Sequence, residues 1–131
     1  KVAGFDKSVG VMTAQYFKEP GDPTWDKDQE MLDYFAFMKK YAPNESALDA
    51  IGVSGYVNAQ MVEHVLKAAG NELTRENLLK KATTLKDVTL SLLLPGIKLG
   101  NTPEDYRLYH GFQLSRFDGK GWGSVEYIKA E

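Results

Sequence analysis

Ahead of a strong helical period the chain runs Ile51-Gly52-Val53-Ser54-Gly55-Tyr56. A hydroxyl, backbone N–H groups and a phenol ring converge there. The first turn of a helix presents unpaired donors at a positive dipole end, which suits an anion. Ile51, Ser54, Gly55 and Tyr56 are therefore the candidate ligand contacts. The competing reading is that Ser54 caps the helix and Tyr56 packs beneath it. Other chemistry is poorly supported. Glu63 and His64 share a helix with apolar neighbours, but no second histidine falls at metal-ligand spacing. Asp22, Asp26, Asp28 and Glu30 mimic a calcium loop without its glycine or its distant bidentate glutamate, and helix capping explains them better. His110, between Tyr109 and Gly111, is a lone titratable residue in a loop. Ser8, Ser46, Ser91, Ser115 and Ser124 lack the nucleophile-elbow pattern, and no glycine-rich phosphate loop is present. No catalytic residue, metal or cofactor is expected.

The elements that must position such contacts belong to an ordinary globular chain. Of 131 residues, 43% are hydrophobic and 26% charged, a balance unlike that of disordered or membrane chains. Sixteen basic and eighteen acidic side chains leave a net charge of −2, with no basic face to neutralise phosphates, so nucleic acid is not an expected partner. No apolar run reaches the length of a bilayer span, so direct membrane insertion is not expected. The absence of cysteine removes disulfides and thiolate metal sites but identifies no compartment. No initiator methionine precedes Lys1 and no basic-then-apolar leader is visible, so any export signal is expected to lie outside this chain.

Periodicity divides the chain. Val9 to Phe17 reads as a strand, apolar on both sides at its start as in a sheet covered on both faces. Two prolines break regular pairing from Lys18 to Pro23, and Asp22-Pro23 reads as a helix start. A helix from about Trp25 to Tyr41 places Met31, Phe35 and Met38 on one stripe until Pro43 stops it. Tyr16, Phe17, Trp25, Phe35 and Phe37 read as core aromatics. After a polar connector, Tyr56 to Ala69 forms the clearest helix, with Val57, Met61 and Val65 on one side and Gly70 at its C-terminus. Thr74 then caps a third helix through Leu78, Leu79, Ala82 and Leu85. From Val88 to Leu94 the period is that of a strand, broken by Pro95-Gly96. Phe112 and Leu114 alternate with Gln113 and Ser115, Asp118-Gly119 reverses the chain, and Trp122 to Ile128 returns as a closing hairpin.

This order of elements carries a resemblance. The Pro-containing loop is followed by the Ala-Ala-Gly-Asn-Glu-Leu-Thr-Arg-Glu-Asn stretch (Ala68 to Asn77). Then come Leu-Leu-Pro-Gly (Leu93 to Gly96), Thr-Pro-Glu-Asp-Tyr (Thr102 to Tyr106) and Arg-Phe-Asp-Gly-Lys-Gly-Trp (Arg116 to Trp122). Together they resemble the C-terminal third of the type I periplasmic solute-binding proteins. Among these they are most similar to the ABC-transporter receptors of the branched-chain amino acid (Leu/Ile/Val) binding family. The resemblance implies an α/β chain, part of the two-lobe type I fold, with parallel sheets flanked by helices and a C-terminal β-hairpin. Residues 1–19 would be a second-lobe strand and hinge crossing, 20–94 first-lobe helices and strand, and 95–131 the final crossing and second-lobe hairpin.

The function so implied is a non-enzymatic receptor in the periplasm or outside the cell, either free or lipid-anchored in the parent protein. It would hold a small organic solute between two lobes and deliver it to an ABC permease. Expected solutes are branched-chain or other apolar amino acids and aromatic carboxylates, held chiefly by the N-terminal part of the same protein. The alternatives are a ligand-sensing regulatory module of the same fold and a small α/β enzyme, for which no pair of catalytic groups is found. A fragment of this kind would expose unpaired sheet edges.

Overall fold

A computed structural model describes residues 4–129; the outermost residues of segments 1–19 and 95–131 lie outside the described ones. Three helices form one body, α1 (Gln29–Tyr41), α2 (Ala50–Ala69) and α3 (Arg75–Ala82). Three strands form the other: β1 (Met12–Gln15), β2 (Gly111–Phe117) and β3 (Trp122–Lys129). The sheet order is β1-β2-β3 and both pairings are antiparallel, so no parallel pair occurs among the described residues. β1 is an edge strand, and Val11 and Met12 are exposed rather than covered on both faces.

Each helix starts on an oxygen-bearing side chain. Asp22 accepts from Thr24 N at 2.8 Å and opens only a single 3-10 turn, Pro23–Trp25. The carboxylate of Asp28 accepts from Met31 N at 3.1 Å and begins α1 there, later than the expected start at Trp25. Asp49 caps α2 through Ile51 N at 2.9 Å, and Thr74 caps α3 through Asn77 N at 3.3 Å. Gly70 ends α2 with a φ of +63°, a conformation that costs a side-chain-bearing residue.

The core lies inside the helical body, where Met31, Tyr34 and Met38 of α1 meet Val53 and Val57 of α2, with Leu85, Val88, Leu92, Leu93, Ile97 and Leu99 packed around them. The expected continuous strand from Val88 to Leu94 is interrupted: only Val88 and Leu93 make bridges, and the chain turns at Ser91 and Leu92. Leu92 adopts a φ of +66° while wholly buried. Gln60 of α2 straps the turn, accepting from Ser91 N at 3.0 Å and donating to the Ser91 hydroxyl. The hairpin forms as the Asp118-Gly119 signal predicts, with Asp118 Oδ1 accepting from Lys120 N and Gly121 N at 2.8 and 2.9 Å.

Candidate functional site

The crossing that leads from β1 into the helical body, Tyr16–Lys18, pairs with the Leu92–Leu94 turn of that body, and the chain returns to the sheet only after Leu99. Phe17 bridges Leu93, Lys18 N donates to Leu92 O at 2.8 Å, and Leu94 N donates to Tyr16 O at 2.9 Å. An ion cluster around the buried Lys18 ammonium fixes this pair to α1. Lys18 Nζ lies 2.7 Å from Asp28 Oδ2 and 2.8 Å from Glu30 Oε2, and Glu30 Oε2 also accepts from Leu92 N at 3.1 Å. The Glu30 carboxylate thus holds both the crossing and the turn it pairs with. Burial alone would push the Lys18 ammonium down, but hydrogen bonds to Asp28 and Glu30 and their charges outweigh it and raise it above its usual value. The Lys18 hydrogen bond in turn holds the Asp28 carboxyl below the usual aspartate range, against a smaller opposing effect of burial. The Lys18 ammonium also sits 5.1 Å over the Trp25 ring.

Around the crossings the surface is hollow. Three adjoining cavities, of about 410, 280 and 440 Å³, each include Glu19 and Trp122 in their walls. Two of them reach the size range of small-molecule sites. The first opens between Phe5, Pro20, Phe117 and Lys120. The second runs between Thr13–Lys18 and the first turn of α2, at Ala50 and Val53. The third is walled by Trp25, Leu94 and Pro95 on the helical side and by Gln15, Gln113, Ser115 and Ser124 on the sheet.

Strand register explains that wall. Thr13 pairs with Ser115, Gln15 with Gln113, Ser115 with Ser124 and Phe117 with Trp122, so these residues share one face of the sheet. That hydroxyl- and amide-bearing face turns toward the helical body, and Ser115 is only 2% exposed. The opposite face carries Met12, Ala14, Phe112 and Leu114. Glu19 stands at the centre of the cleft, receiving Gln15 Nε2 at 3.5 Å. Burial and the neighbouring Asp22 charge raise its carboxyl above the usual glutamate value, the Gln15 hydrogen bond opposing them.

The four residues expected to bind ligand lie beside the second cavity's α2 wall, Ala50 and Val53, and line none of the three cavities themselves. Ile51, Ser54, Gly55 and Tyr56 all lie within α2, whose start at Ala50 corrects the expected one at Tyr56. Ser54 does not cap the helix; Asp49 does, its carboxylate accepting from Ile51 N and its backbone carbonyl from Gly52 N. Ile51 is 79% exposed, while Tyr56 packs against Tyr34 and Phe37 with ring centroids 5.4 and 5.0 Å away. The helix continues through Gly52 because Tyr34 needs that space: a Cβ on Gly52 would fall 2.7 Å from the tyrosine Oη. The cleft residues Gln15, Glu19, Gln113, Ser115 and Trp122 carry no motif; only the alternation of Gln113 and Ser115 with Phe112 and Leu114 marks their face.

The remaining chemical candidates have structural roles or none. Asp22 and Asp28 cap, Asp28 and Glu30 pair with Lys18, and no group of three His, Cys, Asp or Glu side chains converges as a metal site among the described residues. His110 Nε2 lies 3.0 Å from Gly100 O, and His64 is exposed. No helix is long and apolar enough to cross a membrane among the described residues.

Comparison with known proteins bears on this arrangement directly. No curated protein and no solved structure matches the chain. A family model described as periplasmic binding protein matches residues 6–121, a span that takes in β1, both crossings, the helical body and the hairpin as far as its turn. The chain belongs to the family of periplasmic binding proteins.

Proposed function

We propose that this chain is the C-terminal part of a solute receptor of an ABC transporter, in which the cleft around Glu19 and Trp122 lies between two lobes. The crossing Tyr16–Lys18 carries the reading: it leaves the sheet as a hinge strand, pairs with Leu92–Leu94 at the edge of the first lobe, and is anchored there by Lys18, Asp28 and Glu30. Residues 20–94 belong to the first lobe, while 1–19 and 95–131 supply second-lobe strands and crossings. A hinge of this kind allows closure around a ligand, and the differential affinity of ligand for the closed form drives it. The solute is a branched-chain or other apolar amino acid, or an aromatic carboxylate. The closed form is what the permease reads, in the periplasm or outside the cell, without turnover of the solute.

On α2, Ser54 is one turn beyond Ala50, which lines the second cavity, and is the contact best placed among the four expected ones. Ile51 and Gly55 reach ligand or the facing lobe only on closure, and Tyr56 acts by supporting α1. Further support comes from surface area. The chain exposes 9166 Å², against about 6,900 Å² for a compact monomer of its mass. The excess matches a chain that covers and is covered by an N-terminal remainder. Thermal-shift screening of the full-length protein against apolar amino acids and aromatic acids tests the reading. One class should raise the melting temperature with concentration by mass action. Equal melting with every compound rejects it, and the sensor alternative would then be judged by whether the parent carries a signalling domain.

A further inference from the structure

The polar face of the sheet has no structural use that its residues require. Ser115 is 2% exposed and lines the third cavity, and its hydroxyl makes no side-chain hydrogen bond among the described residues while not being sealed off as the Tyr34 oxygen is. Gln113 bonds only the carbonyl of its own neighbour Leu114, at 3.2 Å, which leaves its side-chain oxygen free. The cavity therefore holds hydrogen-bonding capacity that a bound molecule would satisfy.

Charge defines what kind of molecule. The third cavity is lined by Glu19 and Asp22 and by no lysine, arginine or histidine. Neither acid is ion-paired among the described residues. A carboxylate entering here meets like charge, and the Lys18 ammonium over the Trp25 ring is already paired with Asp28 and Glu30. An N–H donor meets carboxylate, amide and hydroxyl oxygens. Trp25 and Trp122 supply ring surfaces on either side of the cavity, against which a flat apolar body packs. The raised Glu19 carboxyl agrees, since a donor or cation beside it would relieve the strain of burial and of Asp22.

We propose that Gln113, Ser115 and Glu19, walled by Trp25 and Trp122, form a subsite for the N–H-bearing head of a solute, an amide or an ammonium, carried on an apolar or aromatic body. The subsite rests on the reading of the cleft as the receptor's binding site and narrows it: among the proposed solutes, those whose only polar group is a carboxylate are disfavoured.

Isothermal titration of the full-length protein with benzamide, benzylamine and benzoate tests this, because the three share a ring and differ in the head. At least one of the first two should bind ten-fold or more tightly than benzoate. Ser115→Ala should weaken that probe five-fold or more, with an unfolding midpoint close to wild type. Gln113→Leu, on the more open part of the same face, provides a second variant should Ser115→Ala fold poorly. Glu19→Gln should weaken benzylamine strongly and benzamide little, which separates the ammonium from the amide. Benzoate binding as tightly as its partners, or unchanged affinity in both the Ser115 and Gln113 variants, overturns the subsite. If none of the ring probes binds but leucine does, the subsite falls and the receptor reading stands. If neither leucine nor any ring probe binds, both fall.

Discussion

Tyr34 has the one fully buried side-chain polar atom among the described residues with no hydrogen-bond partner, its hydroxyl facing the backbone of Gly52. Burial, aided by the charge of Asp49, raises its phenol above the usual value, so it stays neutral. The ring is held by packing with Phe35 and Tyr56, and the oxygen contributes nothing that water would not. Tyr34→Phe should therefore leave stability unchanged or raise it by up to about 1 kcal/mol in urea unfolding. Lys18 is the opposite case, since its side chain is 7% exposed and its charge is fully used. Lys18→Met strands two carboxylates. The loss expected is about 1–3 kcal/mol, below the range for a wholly buried pair because Glu30 is 47% exposed. The pH dependence follows from the two shifts. Asp28 titrates lower when folded, so its contribution is complete above the usual aspartate range and is lost as pH falls below it. Lys18 titrates higher when folded, so its contribution is complete below the usual lysine range and is lost as pH rises beyond it. The stability gap between wild type and Lys18→Met should be flat across neutral pH and close at both extremes. A gap that instead widens in acid contradicts the ion cluster.

At the scale of elements, the start of α2 shows what patterning misses. Gly52, Ser54 and Gly55 are poor helix formers, so the segment reads as a connector, yet α2 begins at Ala50. Tertiary packing outweighs propensity there: Val53 and Val57 are each 1% exposed against α1, and Asp49 supplies the cap. Gly52→Ala would improve intrinsic propensity but drive a methyl into Tyr34. It should cost about 1–3 kcal/mol by denaturant titration, and Gly52→Ala combined with Tyr34→Phe should recover part of that loss. Thr74, Gly70 and the Asp118-Gly119 turn were legible because local chemistry alone decides them. The break at Leu92 was not, because alternating Val88, Leu90, Leu92 and Leu94 carry no turn signal. Long-range hydrogen bonds from Gln60 and Glu30 impose it. A positive φ costs leucine about 1–2 kcal/mol, but its buried side chain contributes more. Leu92→Gly should thus destabilise despite relieving the backbone, and a more stable variant would show that the turn is not held by that packing. The same blindness hid the cleft. Gln15, Glu19, Gln113, Ser115 and Trp122 come from both ends of the chain and meet only through strand register and the crossing at Tyr16–Lys18.

For the whole molecule, the exposed area and the apolar surface agree. Val62, Leu66, Leu73 and Leu79 are each more than 40% exposed along α2 and α3, Val125 and Tyr127 are similarly open on the edge strand β3, and β1 is the other edge. Unpaired edges beside apolar surface favour association. The 131-residue chain alone should self-associate in sedimentation at micromolar concentration, and joining it to the rest of the parent should give a monomer. A clean monomer of the isolated chain would mean that these surfaces need no cover. The order of elements and the family were legible in the sequence because both rest on local signals arranged along the chain, whereas the side chains that line the cleft depend on contacts between distant segments. Most directly at stake is whether the cleft binds a small solute and closes on it. Small-angle scattering of the full-length protein, with and without the solute that raises its melting temperature most, measures this. The account predicts a smaller radius of gyration with solute and recovery of unchanged solute afterwards. An unaltered radius at saturating solute, or conversion of the solute to product, would contradict it.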